Sequence, residues 1–340
     1  MENRRDFLKG MAGITAGLMV PVGWGCSGSS PGSDKLGALL PMRKLGSTGE
    51  KVTMLGVGGY HIGGTTERDA QEVIETAIEG GIRFFDTAHS YGPGTSEERY
   101  GRFLVPRYRD HIFLMSKSTA TDGETLLREV DLSLERLKTD HVDLLQLHAF
   151  QSPEDVDGRI ANGVMEAIYS IRDSGKARHI GFTGHQNPYA HLRMMEKFPE
   201  FPGFVTLQMP ISVVDYASEH SFVRKVLPVA VENKLGLLAM KTLAAGRFFR
   251  STKIAGELRW ETESPVVPDY VSLKEALYFS WSMPVSVLIT GAENKALLQE
   301  KIDLAREFTK FSEEEREEIF AKVSPAPDKD QVEYYKNIGG

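Results

Sequence analysis

A chain of 340 residues, 41% of them hydrophobic, can bury a large core, as one sizeable α/β domain or two medium ones. Its net charge of −7 and pI near 5.8 provide no broad basic surface, which argues against nucleic acid and leaves a small molecule or a protein as partner. The single cysteine, Cys26, excludes an internal disulfide framework and a cysteine-based metal cluster, so the fold must rest on packing.

Residues 1–30 read as a segment apart from the fold. In "NRRDFLKG" Arg4 and Arg5 stand before Phe7 and Leu8, and a weakly apolar run rich in Gly and Ala follows from Met11 to Trp24. The run is short of the ~20 apolar residues that cross a bilayer. The pattern resembles a twin-arginine export signal, an address read by a translocase and then removed. That resemblance implies the twin-arginine translocase as a partner and an exported protein, periplasmic or membrane-anchored. Cys26, followed by "SGSSPGSD", resembles a lipoprotein cleavage site with the cysteine as a lipidated new N-terminus; an incidental cysteine in a removed signal is the other open reading. Residues 31–41 have a linker composition.

From Met42 a regular alternation begins. "MRKLGSTGEKV" has a central turn and predicts a hairpin closing one end of the fold. "VTMLGVGG" (52–59) predicts a buried strand, and "ERDAQEVIETAIEGG" (67–81) an amphipathic helix stopped by glycine. Strands follow at "IRFFDTA", "HIFLMSKS", "HVDLLQLH", "ARHIGFTGH", "FVTLQMP", "LGLLAMK" and "SVLITGA", each succeeded by a helical pattern such as "GETLLREVDLSLERLKT" or "SFVRKVLPVAVENK". Leu243 to Tyr270 is a long loop, of a length that usually serves function. The tail from Ser312 reads as an acidic-faced helix and then a Pro-rich, weakly ordered end.

Eight strand–helix units with near-continuous apolar strands need a parallel sheet covered by helices. Eight is the number that closes into a (β/α)8 TIM barrel, a single α/β domain over residues 42–310 with a C-terminal helix and tail over 311–340. A doubly wound open sheet is the alternative, but "GVGGYHIGG" lacks the Gly-x-Gly-x-x-Gly spacing that such sheets use for dinucleotides.

In a barrel of this kind the site lies at the C-terminal ends of the strands. Polar residues stand there: Asp86 after the second strand, Lys117 after the third, His148 after the fourth, and Tyr91 in the loop beyond Asp86. Singly, each has a structural explanation as a turn former, a solvated cation or a satisfied hydrogen bonder. Jointly they suit one task. An ammonium favours a phenolate, so Lys117 is expected to lower the pKa of Tyr91; Asp86 would keep Lys117 charged, and a neutral His148 would orient a carbonyl oxygen. Such a group protonates an oxygen on which charge develops when hydride attacks a carbonyl, and side chains do not deliver hydride, so a nicotinamide is implied.

Asp86, Tyr91, Lys117 and His148, in that order and at those strand ends, resemble the catalytic tetrad of the aldo-keto reductases. The resemblance runs from about Met42 to Phe308 and includes "RKLGSTGEKVTMLGVGG" and "TGAENKALLQEKI". It implies a (β/α)8 barrel that binds NADP or NAD across its mouth, with Tyr91 as general acid and base. The carboxamide contacts would be Thr183 and Gln208, although Gly184 stands where the family commonly has asparagine. Met240, followed by Lys241, takes the place of a tyrosine that stacks on the nicotinamide. Gly291, Ala292, Asn294, Lys295 and Glu300 match the phosphate and adenosine end, with Leu297 where an arginine often grips the 2′-phosphate.

Tyr60, His61, His185 and Gln186, with Phe248 or Trp260 from the long loop, are candidates for lining a substrate pocket. The polar cast of His61, His185 and Gln186 suggests a small carbonyl or sugar-like substrate. Two other readings stand beside this one. A non-catalytic nicotinamide-binding or sensing barrel would keep the tetrad for the fold alone. Metal-dependent hydrolysis would need His-x-His or Asp-x-His patterns at the strand ends, and they are missing there, so no metal site is expected.

Overall fold

The computed structural model describes residues 32–263, 267–323 and 332–338. The export-signal reading, with Cys26, lies outside the described residues. The centre is a closed parallel barrel of eight strands: β1 (Leu55–Gly58), β2 (Phe84–Asp86), β3 (Phe113–Ser118), β4 (Val142–Leu147), β5 (Ala177–Thr183), β6 (Phe204–Pro210), β7 (Gly236–Met240) and β8 (Val287–Thr290). Each strand pairs with its neighbour in sequence, and β8 closes on β1 through Leu288↔Leu55, Ile289↔Gly56 and Thr290↔Val57.

Period-two alternation divides the core in two. Phe84, Phe113, Met115, Leu144, Leu238, Val287 and Ile289 point into the barrel, together with Leu45 and Val52 from below. The rings of Phe84 and Phe113 stack at 5.1 Å. Burying each such ring is worth on the order of 2 kcal/mol. The outward set, such as Val57, Phe85, Leu114, Leu145 and Phe182, meets the helices. Helix Glu67–Glu79 shows how: Ala70, Val73, Ile74, Ala77 and Ile78 repeat at helical spacing and are buried, and the Thr66 side chain caps the Asp69 N–H at 3.1 Å.

Several expected boundaries move. Residues 52 and 53 do not belong to β1: Met42–Lys44 pairs antiparallel with Lys51–Thr53, and this hairpin carries Val52 and Leu45 into the barrel floor. The chain changes partner at Met54, whose N–H reaches the Pro41 carbonyl and whose carbonyl accepts from Leu288. The linker expectation also fails from residue 32 onward. Ser33–Asp34 pairs with Gly37–Ala38, Asp34 accepts both Arg83 Nε (2.7 Å) and Nη2 (2.9 Å), and Leu40 is buried. The helix expected over 221–234 is broken into Phe222–Lys225 and Leu227–Glu232, with Pro228 in the first turn of the second piece, where its missing N–H is tolerated. A further helix, Pro153–Ala161, precedes Val164–Asp173 after β4.

Two segments cross the mouth. The long loop after β7 contains a hairpin, Ser251–Ile254 with Glu257–Glu261, whose Ile254 packs against Gly64 beyond β1. After helix Glu313–Val323, residues 332–338 return to the barrel, with Val332, Glu333 and Tyr335 buried. The weakly ordered end expected from composition is, over these residues, a packed strap.

Candidate active site

Asp86 and Lys117 come to the mouth because β2 and β3 run side by side and both residues stand at the C-terminal ends of these strands; Asp86 is 2% and Lys117 1% exposed. Lys117 Nζ lies 2.5 Å from Asp86 Oδ1 and donates to the Thr87 carbonyl at 2.8 Å and to Tyr91 Oη at 3.2 Å. Tyr91 sits at the turn "YGPG", where Gly92 (φ 59°) and Gly94 (φ 98°) take left-handed conformations that fold the loop back over the strand ends. Its ring meets His148 edge-on at 5.6 Å and Tyr60 at 5.6 Å. His148 is held by its backbone, N–H to the Ser118 carbonyl (2.8 Å) and carbonyl to Arg159 Nη1 (3.0 Å), which leaves its buried Nδ1 without a partner.

Burial dominates the electrostatics. It raises the Asp86 carboxyl, and Lys117 pulls that carboxyl only partway back. Burial works against the Lys117 ammonium too, but Asp86 and Tyr91 outweigh it and hold Lys117 charged, above its ordinary value. For Tyr91 the expectation is corrected: desolvation lifts the phenol above its usual value although Lys117 lowers it. His148 is pushed well below the usual imidazole value by burial and then by Lys117, His185, Arg159 and Lys241. At neutral pH the site thus presents a protonated phenol beside a neutral imidazole.

The inferred carboxamide contacts are neighbours, since Thr183 pairs with Gln208 across β5 and β6. Gln208 Oε1 is buried and has no partner, and neither has Gln146 Oε1, one inward position below His148; the Gln146 Nε2 donates to Thr206 Oγ1 at 3.1 Å. Gln146 was missed because a glutamine inside an apolar strand carries no strand-end signal. These unmatched acceptors fit a donor such as a carboxamide NH2 group. Gly184 faces outward: a Cβ there would sit 2.6 Å from the Phe150 carbonyl and 2.7 Å from His191 Nε2, so no asparagine fits. Met240 ends β7 and pairs with Pro210.

At the β8 end, Ala292 is buried, Asn294 caps helix Lys295–Arg306 through Leu297 N (3.1 Å), and Lys295 pairs with Glu72 at 3.2 Å. Glu300 is exposed. A buried cation unforeseen from sequence, Lys301, donates to the Gly291 carbonyl at 2.6 Å, and burial lowers its pKa to about 8. Its spacing from Leu298, Ile302 and Ala305 puts it on the buried face of that helix.

Of the candidate pocket residues, Tyr60 meets both His61 (5.7 Å) and Tyr91 (5.6 Å) edge-on, while His185 and Gln186 meet the strap. His61 packs on Gly291, where a Cβ would lie 2.0 Å from its Nδ1, and burial followed by Lys301 and Lys241 lowers its pKa to about 4. Tyr60 is 58% exposed at the rim. His185 lies across the mouth, its ring 5.9 Å from Tyr335, with a pKa of about 3 set by burial and Lys241. The Gln186 carbonyl accepts the Asn337 N–H at 3.1 Å. Phe248 is core rather than pocket, and Trp260 donates to the Phe249 carbonyl (3.0 Å) while stacking with Arg247 at 4.4 Å.

The chain is similar to known proteins in sequence and in fold. Aldo-keto reductase YhdN of Bacillus subtilis is 32% identical over 220 residues, 59% of this chain and 62% of that protein. L-Galactose dehydrogenase of Arabidopsis thaliana is 30% identical over 239 residues, 66% of this chain and 71% of that protein. In fold, the holo form of aldo-keto reductase AKR11C1 from Bacillus halodurans superposes with a TM-score of 0.67 at 22% identity, over 85% of this chain and 98% of that one. The profile of the aldo/keto reductase family matches residues 54–323, a span that runs from β1 through all eight strands to the helix behind them. The chain therefore belongs to the aldo/keto reductase family, oxidoreductases that use NADP or NAD.

Proposed function

We propose that this chain interconverts a carbonyl and an alcohol on a small, sugar-like substrate, with Tyr91 as the group that gives and takes the proton. The observation that carries the reading is the buried Lys117, ion-paired to Asp86 and hydrogen-bonded to Tyr91, beside an imidazole with a free buried nitrogen. When bound, nicotinamide supplies or accepts the hydride. Thr183 and Gln208 would hold its carboxamide, Met240 would pack on its ring, and the Gly291–Lys295 turn with Lys301 would meet its phosphates. The neutral His148 hydrogen-bonds the substrate oxygen and aims it at Tyr91 Oη. In reduction Tyr91 donates its proton as charge grows on that oxygen, and Lys117 stabilises the phenolate left behind; in oxidation the phenolate accepts the proton.

The sugar-like substrate draws support from the relative named L-galactose dehydrogenase and from the polar residues His61, His185 and Gln186. Export through the twin-arginine translocase, residence in the periplasm and a lipid anchor at Cys26 rest on residues 1–30 alone. An exported reductase needs a cofactor supply, which a tightly held nicotinamide recycled between two substrates would meet. The test is turnover of aldoses with NADPH and NADH, by wild type and Tyr91→Phe. We expect the substitution to lower kcat by a factor of about 10² or more while cofactor fluorescence titrations stay unchanged. Equal turnover by both proteins would remove Tyr91 from the chemistry and favour the non-catalytic barrel.

A further inference from the structure

Lys241 follows the last residue of β7 in a left-handed conformation (φ 57°), and two alanines close by, Ala244 (φ 50°) and Ala245 (φ 53°), share that strain. Side-chain-bearing residues held there cost about 1 kcal/mol or more each, and such clusters mark sites where position matters more than stability. The ammonium lies within the mouth: Nζ is 5.1 Å from the Tyr335 ring, which in turn rests on His185. Its charge acts on His61, His148 and His185, from the ends of β1, β4 and β5. Among the described residues no carboxylate stands within ion-pair distance of it. Asp86 is taken by Lys117, and Asp215 and Glu333 are taken by Lys336. Half-buried, with the Tyr335 ring beside it and no carboxylate to pair with, Lys241 has its pKa lowered to about 8 by desolvation, and a cation so placed is open to an anion from outside the chain.

We infer that Lys241 receives an anionic substituent of the substrate, so that the substrate class is an acidic carbonyl compound such as a sugar acid. The inference rests on the carbonyl–alcohol reading above. The competing source of negative charge is the diphosphate of the cofactor. That end of the mouth has its own buried cation in Lys301, at the Gly291 carbonyl, whereas Lys241 leans on Tyr335 toward His185.

The experiment compares kcat/KM for two matched pairs, D-galacturonate against D-galactose and 4-carboxybenzaldehyde against benzaldehyde. The full chain is used as wild type, Lys241→Met and Lys241→Arg, with NADPH affinity read by fluorescence and folding by thermal melts. A charge-assisted contact predicts that wild type prefers the acid of each pair by about tenfold or more. Lys241→Met should bring the ratio near one, and Lys241→Arg should restore most of it. Preference within the aldehyde pair but no turnover of either sugar would keep the anion site and remove the sugar reading. Ratios that are the same in wild type and Lys241→Met overturn the inference. So does a loss of NADPH affinity in Lys241→Met with unmoved ratios, which would assign the ammonium to the diphosphate.

Discussion

Tyr91 is under two opposed influences, and their balance has a measurable sign. Lys117 at 3.2 Å favours the phenolate, while burial disfavours it, and burial prevails, leaving the phenol above its ordinary value near 10. The proton donor is then fully loaded at neutral pH. Carbonyl reduction should hold a plateau in kcat across the neutral range and fall only as pH rises through the raised phenol value. Alcohol oxidation should climb over the same alkaline range, because it needs the ionised form. A pH–rate profile of reduction that already declines below pH 10 would show Lys117 winning instead. The identities of the four residues were legible from polar side chains ending apolar strands. The sign of this shift was not, since desolvation depends on Tyr60, His148 and the turn folding over Tyr91. Nor was the closure of position 184, where His191 from the following helix already fills the space.

The strap at residues 332–338 is anchored by a buried cluster, beside the Asn337–Gln186 backbone bond and the Tyr335 ring contacts. Asp215 accepts Ser221 Oγ (2.9 Å), Phe222 N (3.0 Å) and Val223 N (2.8 Å), and Lys336 Nζ reaches both Asp215 Oδ1 and Glu333 Oε2 at 2.7 Å. Removing the cation would leave two buried carboxylates facing each other, a change that costs about 3–5 kcal/mol in comparable settings. Lys336→Met should therefore release the strap while the barrel stays folded. Hydrogen exchange would show lost protection at 332–338 and unchanged protection in β1–β8; retained protection at the strap would refute the account. Burial, and then Asp215, raises Glu333 to about 7. A raised acid stabilises the docked form fully below its free value near 4.5, and that contribution fades as pH rises through about 7. Periodicity exposed the helices and strands, but a docked tail has no period, and a Pro-rich approach to it reads as disorder.

For the whole molecule, residues 1–41 divide by what holds them. From Gly32 the chain is fastened by the Asp34–Arg83 pair and the buried Leu40, so a separable signal has to end before that point. In a bacterial host with a twin-arginine system, a reporter carrying residues 1–41 should reach the periplasm, and Arg4→Lys with Arg5→Lys should abolish export. Cys26→Ala should abolish palmitate labelling while leaving translocation intact; cytoplasmic retention of the unmutated fusion would sink the export proposal. The amino-acid sequence by itself determined the eight strand–helix units and the polar residues at their ends. Apolar period and strand length are local properties, and a parallel sheet of eight such units closes. It also carried the family, through four residue types in a fixed order. Only the tertiary structure decided that the chain changes partner at Met54, that Lys301 is buried, that Gly184 has no room for a side chain and that Lys241 lies unpaired inside the mouth. Those outcomes depend on which distant groups come to lie beside each residue, because desolvation and ion pairing are set by neighbours in space.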